Sequence, residues 1–462
     1  KKTTIFMIKQ LLIFLLAISS SWVAQAQSTV TTWEGELEIP GTAVTLRLNL
    51  NIRQKDNGKV KMWLDSPDQK VVAIPCEGSL NAGHVELKSS SINGSFEGDI
   101  DDTGLVLSGM FTQNGISMPI QFKKFQGEGN GNAFPPHEYR NMGGDLDDMD
   151  ETPKPYNEEE FSCTSDGITL AGTITIPKGK GPFPAIVMVA GSGPNDRDET
   201  IMGHKPFKAI ADSLARHGIA SLRYDKRGVG KSSLASGYET TRDFAQDAAA
   251  IIDFAASRNQ VIDTERLGFL GHSEGASIAI MNHEKAQFII TLAAPAVHGK
   301  DLMIKQNQLI VKLQGAKWTP QLDRQIQDIF TAIDTSTSEK TLKAKLYQLA
   351  ENTPSIRPQI PALSSAWYRS FIKLDPTATL KQVKCPMLAL NGEWDCQVDC
   401  EQNLRAVEKC VKHAVIKRYP RFNHLFQECG TFESSMNYGA IHEDINPQVI
   451  NDIKDFILNL DK

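Results

Sequence analysis

Nothing in this sequence favours a polyanion as partner. Lys and Arg number 49 against 55 Asp and Glu, a formal charge of -6 at pH 7. No basic footprint for nucleic acid is present. Long apolar runs are also missing: the best, Leu11 to Ile18, is shorter than the ~20 residues a spanning helix needs. With 34 Gly and 22 Pro among 462 residues, collagen-like and low-complexity architectures are excluded. The seven cysteines do not fall into paired C-x-x-C sets, so no metal cage is expected. The acidic run Asp145, Asp147, Asp148, Asp150 and Glu151 lacks the Gly and distal Glu of a calcium loop. We therefore expect neither metal nor organic cofactor.

What is present divides the chain into four parts. Lys1, Lys2 and Lys9 lead the apolar run, and Ala24-Gln25-Ala26 follows as a cleavage site, the pattern of an export signal over residues 1–26. A periplasmic or secreted protein with no stable membrane anchor is the expectation, and in that setting a disulfide among Cys396, Cys400, Cys410 and Cys429 is permitted. Cys76, Cys163 and Cys385 lie in apolar strand-like runs and read as core.

Residues 27–125 alternate apolar and polar side chains in short runs, such as Val44 to Leu50 and Val60 to Leu64, with Asn57-Gly58, Gly104, Gly109 and Gly115 as punctuation. The pattern predicts an all-β accessory domain, an up-and-down sheet or small barrel. Residues 126–160 turn to Gly, Pro and acid and read as a linker. From 161 to 462 buried strands alternate with amphipathic helices, which predicts an α/β fold around a mostly parallel sheet. A polar, helix-rich segment at about 300–373 breaks that rhythm as a lid.

The chemistry lies in this last part. Gly271-His272-Ser273-Glu274-Gly275 stands between a strand and a helix, the G-x-S-x-G arrangement that projects a serine hydroxyl from a sharp turn. A serine nucleophile needs a base and an orienting acid, which follow in the order acid then His. Asp395, after the strand from Met387, and His424, after the strand from Ala414, fill those roles, with Asp399 and Glu393 as rival acids. His272 reads as a packing or lid contact. The oxyanion donors are expected at the backbone N–H of Glu274 and of Ser192 or Gly193, in the loop Ala190 to Asp198. Within that loop Asp196-Arg197-Asp198 reads as an ion-pair brace. Trp367, Tyr368 and Phe371, which end the lid, are candidates to line the substrate pocket.

Together the motifs G-S-G-P-N-D-R-D at 191–198, G-H-K-P-F at 203–207, R-G-V-G-K-S at 227–232, G-H-S-E-G at 271–275 and N-H-L-F-Q at 423–427 resemble an α/β-hydrolase of the bacterial exported esterase group related to the S33-like serine aminopeptidase family. The resemblance implies Ser273, Asp395 and His424 as a triad. It departs from the family pattern at Lys226, where Asp is usual, and at Ala276, where a second Gly is usual. A serine carboxylesterase for short acyl esters is the expected function. An aminopeptidase is the alternative, and a non-catalytic binding protein the alternative of another class.

Overall fold

A computed structural model of the chain describes residues 30–38, 45–54, 60–66, 71–89, 92, 94–113, 116–125, 154–234, 239–441 and 443–460. The export signal predicted for residues 1–26, the acidic run near Asp145, Asn57-Gly58 and Gly115 lie outside these. Among the described residues no helix is long and apolar enough to cross a membrane.

The chain forms two compact units. The first is a closed barrel of eight strands, each paired antiparallel to the next: β1 Val30–Glu38, β2 Thr45–Gln54, β3 Val60–Ser66, β4 Val71–Asn81, β5 His84–Ser89, β6 Gly94–Ile100, β7 Val106–Gln113 and β8 Ile116–Lys124. β1 closes the ring against β8 through Trp33 to Lys124 and Gly35 to Phe122. Alternation of side chains across a strand is what makes the ring amphipathic. In β5, Val85 and Leu87 are buried while Glu86 and Lys88 are exposed. Leu50, Leu64, Leu87, Phe96, Leu107 and Phe122 fill one core, with Phe96 edge-on to Phe122 at 5.4 Å.

Gly104 does sit in a turn, with φ +67°, but Gly109 is no punctuation mark. It lies in mid-β7 opposite Gly98, and a Cβ there would stand 2.1 Å from the Glu97 carbonyl oxygen. The missing side chain permits close approach of two strands. A buried polar chain also links three adjacent strands of the barrel: Thr32 Oγ1 donates to Asn51 Oδ1 and Asn51 Nδ2 to Asp65 Oδ2, both at 2.8 Å.

The second unit begins earlier than the composition suggests. β9, Tyr156–Ser165, starts inside the stretch read as a linker. Its acids look like a solvated tether in sequence, but Glu158 pairs with Arg223, Glu159 with Arg258, and Glu160 with Arg197 and Lys231. β10, Ile168–Pro177, pairs antiparallel with β9 and with β12, Ala220–Tyr224. The rest of the sheet is parallel: β11 Phe183–Val189, β13 Ile262–His272, β14 Ile289–Leu292, β15 Met387–Gly392 and β16 Val415–Tyr419, in the order β16-β15-β14-β13-β11-β12-β10-β9.

Both faces of this sheet are covered, so its central strands are apolar throughout. Along β11, Ile186 and Met188 face one core while Ala185, Val187 and Val189 face another. Between β14 and β15 stand the helices Gly299–Leu313, Pro320–Thr335, Glu339–Asn352 and Ala366–Ile372, where the lid was expected. Their apolar faces, including Ile326, Phe330, Leu342 and Phe371, join the core of Ile186 and Met188. All seven cysteines are free, so the permitted disulfide is not formed here.

Candidate active site

β13 runs directly into the helix Glu274–Met281, and Ser273 at the junction takes φ 53° and ψ -120°. That region is costly for a residue with a Cβ and survives only where the surroundings fix it. The fixing groups are visible. Ser273 N–H donates to the Leu292 carbonyl at 2.9 Å. A Cβ on Gly271 would lie 2.2 Å from the Gly275 carbonyl oxygen, and one on Gly275 1.9 Å from that of Val189. Both glycines of the motif are therefore required by packing.

Asp395 and His424 come from the loops that follow β15 and β16, the last two strands of the chain's described residues. His424 Nδ1–H donates to Asp395 Oδ2 at 2.7 Å, with both residues buried. Asp395 Oδ1 accepts from the backbone N–H of Gln397 at 2.7 Å and of Val398 at 2.9 Å, so the carboxylate cannot swing away. The loop carrying His424 is held by Asn423, whose Oδ1 accepts from Leu425 N and Gln427 N while its Nδ2 donates to Gln427 Oε1. The rival acids lie elsewhere. Asp399 caps the helix Cys400–Cys410 by accepting from Gln402 N, and Glu393 is exposed. Ser273 Oγ has no hydrogen-bond partner among the described residues.

His272 is more than a packing contact. Its Nδ1 meets Glu199 Oε1 at 2.9 Å and its Nε2 meets the His424 carbonyl at 3.0 Å, with the two imidazoles 4.7 Å apart. Burial lowers the affinity of this ring for a proton, but the Glu199 carboxylate outweighs it and the pKa is raised. Glu199 Oε1 also accepts from Gly191 N–H at 2.6 Å. One buried carboxylate thus ties the loop after β11 to the residue beside the serine.

That loop contains the predicted oxyanion donors. Gly191 lies against the elbow, for a Cβ on it would be 3.2 Å from Ser273 Cβ. Its carbonyl accepts from Asn195 Nδ2 and from Lys226 Nζ, each at 2.9 Å. Among the described residues no acceptor takes the N–H of Ser192, Gly193 or Glu274. The brace at Asp196 to Asp198 exists, but its partners lie on or just after neighbouring strands rather than within the loop: Arg197 bonds Asp225 and Glu160, and Asp198 bonds Arg223.

The Glu274 side chain is fully buried and already engaged. Oε1 accepts from Thr241 Oγ1 and from Trp367 Nε1, each at 2.7 Å, and Oε2 lies 3.4 Å from Lys226 Nζ. Trp367, at the end of the lid, therefore reaches the elbow and stacks on Phe371 at 5.4 Å. Tyr368 and Phe371 are buried in the core that the lid shares with the sheet. Glu199, Lys226 and Asn195 are the participants not identified from sequence. The one signal for Lys226 was its departure from the family pattern. In the barrel, His84, Glu86 and Glu97 bring ligand-type atoms within 4.8 Å of one another, yet the acids are exposed and His84 Nδ1 is held by Asp99 Oδ1 at 2.7 Å.

Residues 204–428 match the hydrolase family described as serine aminopeptidase, S33. The chain is 33% identical over 246 residues to Esterase EstD of Thermotoga maritima, a match covering 53% of this chain and 54% of that protein. It thus spans about half the length of this curated relative. Among solved structures, Est1E from Butyrivibrio proteoclasticus with ferulic acid bound is 19% identical, covering 65% of this chain and 98% of its own, with a TM-score of 0.41. The α/β hydrolase GrgF from Penicillium is 18% identical with the same coverages and a TM-score of 0.42. The unit from Lys154 onward has the α/β-hydrolase fold, and over residues 204–428 it is similar to the serine aminopeptidase family.

Proposed function

We propose that the protein is a serine esterase that cleaves small carboxylic esters through an acyl-enzyme. The observation that carries this reading is the 2.7 Å bond from His424 to a doubly anchored Asp395, joined through His272 to the neighbouring serine held at positive φ. Asp395 fixes the imidazole with Nδ1 protonated, which leaves Nε2 as the base. Ser273 Oγ attacks the ester carbonyl as its proton passes to His424 Nε2, and the carbonyl electrons move onto oxygen. Ser192 N–H, or Gly193 N–H beside it, and Glu274 N–H stabilise that oxyanion, since neither Ser192 nor Glu274 is committed to another acceptor. The C–O bond then breaks, the alcohol leaves with the proton from His424, and water repeats the sequence to release the acid. A hydrogen bond between serine and histidine that is absent at rest commonly forms only with substrate in place.

Glu274 supports ester over peptide as substrate. An aminopeptidase needs a carboxylate for the substrate ammonium, and the carboxylate beside Ser273 is sealed by Lys226, Thr241 and Trp367. Esters need no such anchor, and an alkoxide leaves with less help than an amine. Labelling by a fluorophosphonate, lost in Ser273→Ala, tests the nucleophile. The kcat/KM for p-nitrophenyl esters should exceed that for aminoacyl p-nitroanilides by at least ~10²-fold, about 2.7 kcal/mol of barrier. Comparable values would turn the reading to the aminopeptidase. Export, through residues 1–26, is part of the same proposal.

A further inference from the structure

Lys226 is a buried cation with two hydrogen-bond acceptors in reach, one on the peptide that carries the Ser192 N–H and the other on the side chain of Glu274. Nζ donates to the Gly191 carbonyl at 2.9 Å and lies 3.4 Å from Glu274 Oε2, while the Phe244 ring covers it at 4.1 Å. Its backbone is fixed too, since Lys226 N–H donates to the Asn195 carbonyl at 3.1 Å. The Gly191 carbonyl and the Ser192 N–H are opposite ends of one planar peptide. In a trans peptide they point in opposite directions, so a cation that fixes the carbonyl also fixes the N–H. A donor on the carbonyl polarises the whole unit, which makes the N–H at its far end the stronger donor.

Resting on the reading of Ser273 as an esterase nucleophile, we infer that Lys226 is a positioning residue for the oxyanion hole, holding and polarising the Gly191–Ser192 peptide from behind. Asn195 Nδ2 is its neutral companion on the same carbonyl. Gly191 N–H is tied to Glu199, so this end of the loop is held on both sides. Through Glu274 the same ammonium reaches Trp367, which links the lid to the elbow. A purely structural role for Lys226 would consist of the pair with Glu274. The positioning role consists of the bond to Gly191, and the two are separable.

The test uses the full chain, p-nitrophenyl butyrate as substrate, and an aryl trifluoromethyl ketone whose adduct with serine carries an oxyanion. Lys226→Met leaves the Glu274 charge buried alone, so Lys226→Met/Glu274→Gln, which removes both charges, is made beside it. Outright removal of an oxyanion donor costs ~10²- to 10³-fold in kcat, so weakening one should cost about tenfold or more. Both variants should show this loss in kcat with KM nearly unchanged, and ketone affinity should fall by the same factor. A folded double variant with wild-type kcat and ketone affinity would overturn the inference. So would a loss of kcat without a loss of ketone affinity. Should neither variant fold, Asn195→Ala decides: it removes the other donor from the same carbonyl and must weaken the ketone, or the inference fails. If Ser273→Ala retains turnover and labelling, the esterase reading fails first and this inference with it. Ser273-dependent turnover that is indifferent to Lys226 sinks the inference alone.

Discussion

The barrel and the α/β unit bury polar groups in opposite ways. In the barrel the buried polar chain joins Thr32, Asn51 and Asp65 across adjacent strands, and every strand pairs with its neighbour in sequence. In the α/β unit Glu199, His272 and His424 meet although His272 is 73 residues from the first and 152 from the last. The difference follows from topology. A meander brings near sequence together, whereas parallel strands joined by crossovers collect distant loops at their carboxyl ends. The barrel can satisfy its polar groups locally, and the α/β unit gathers unlike groups where chemistry needs them.

The sharpest test of this contrast is at the nucleophile. Ser273→Ala should lower kcat for p-nitrophenyl acetate by ~10⁴-fold or more, and Asp395→Asn by ~10⁴-fold through the wrong imidazole tautomer. Circular dichroism should show both folds unchanged. Retention of more than about a hundredth of the activity would end the assignment.

Two glycine substitutions set the units against each other. Gly275→Ala forces a Cβ against the Val189 carbonyl at 1.9 Å, and displacing the elbow should cost about 10²-fold in kcat. Gly109→Ala meets the Glu97 carbonyl at 2.1 Å and should lower the melting temperature of the barrel while esterase activity survives. Equal kinetic losses from the two would contradict the separation. A smaller effect is expected at Asp399, whose carboxylate caps a helix: Asp399→Ala should cost about 1 kcal/mol of stability and leave kcat near wild type. A kinetic loss greater than that of Asp395→Asn would reassign the acid.

The smallest effect should come from removing the barrel altogether. A fragment from Lys154 keeps all of β9 and should hydrolyse esters with a kcat/KM close to that of the whole chain. One from Phe161 loses Glu158 and Glu160, partners of the buried Arg223 and of Arg197, and should unfold at lower temperature. A Lys154 fragment that folds but has no activity would make the barrel part of the site.

The candidate residues Ser273, Asp395 and His424 were legible in the sequence because each sits in a short motif just after a strand. The two glycines flanking Ser273 announce the turn, and their packing shows why no other residue serves. The start of β9 was not legible. Three consecutive glutamates read as part of a linker until their basic partners are known, and Arg258 lies 99 residues from Glu159. Glu199 was hidden for the same reason, its two partners being a backbone N–H and a histidine from another strand. Gly109 misled because glycine marks both turns and close strand contacts, and spacing alone does not separate them.

The pairing of Lys226 with Glu274 also bears on how this sequence is able to drift over generations. The two stand 48 positions apart, with side chains 6% and 0% exposed. Losing either partner strands a charge in the interior, at about 3–5 kcal/mol, against a typical total stability of ~5–15 kcal/mol. Replacing both by neutral residues of similar volume is often neutral for stability, whatever it costs in turnover. Lineages can therefore cross between the charged and uncharged versions only by a double change or after prior stabilisation elsewhere. The lysine and the glutamate are inherited in effect as a single character.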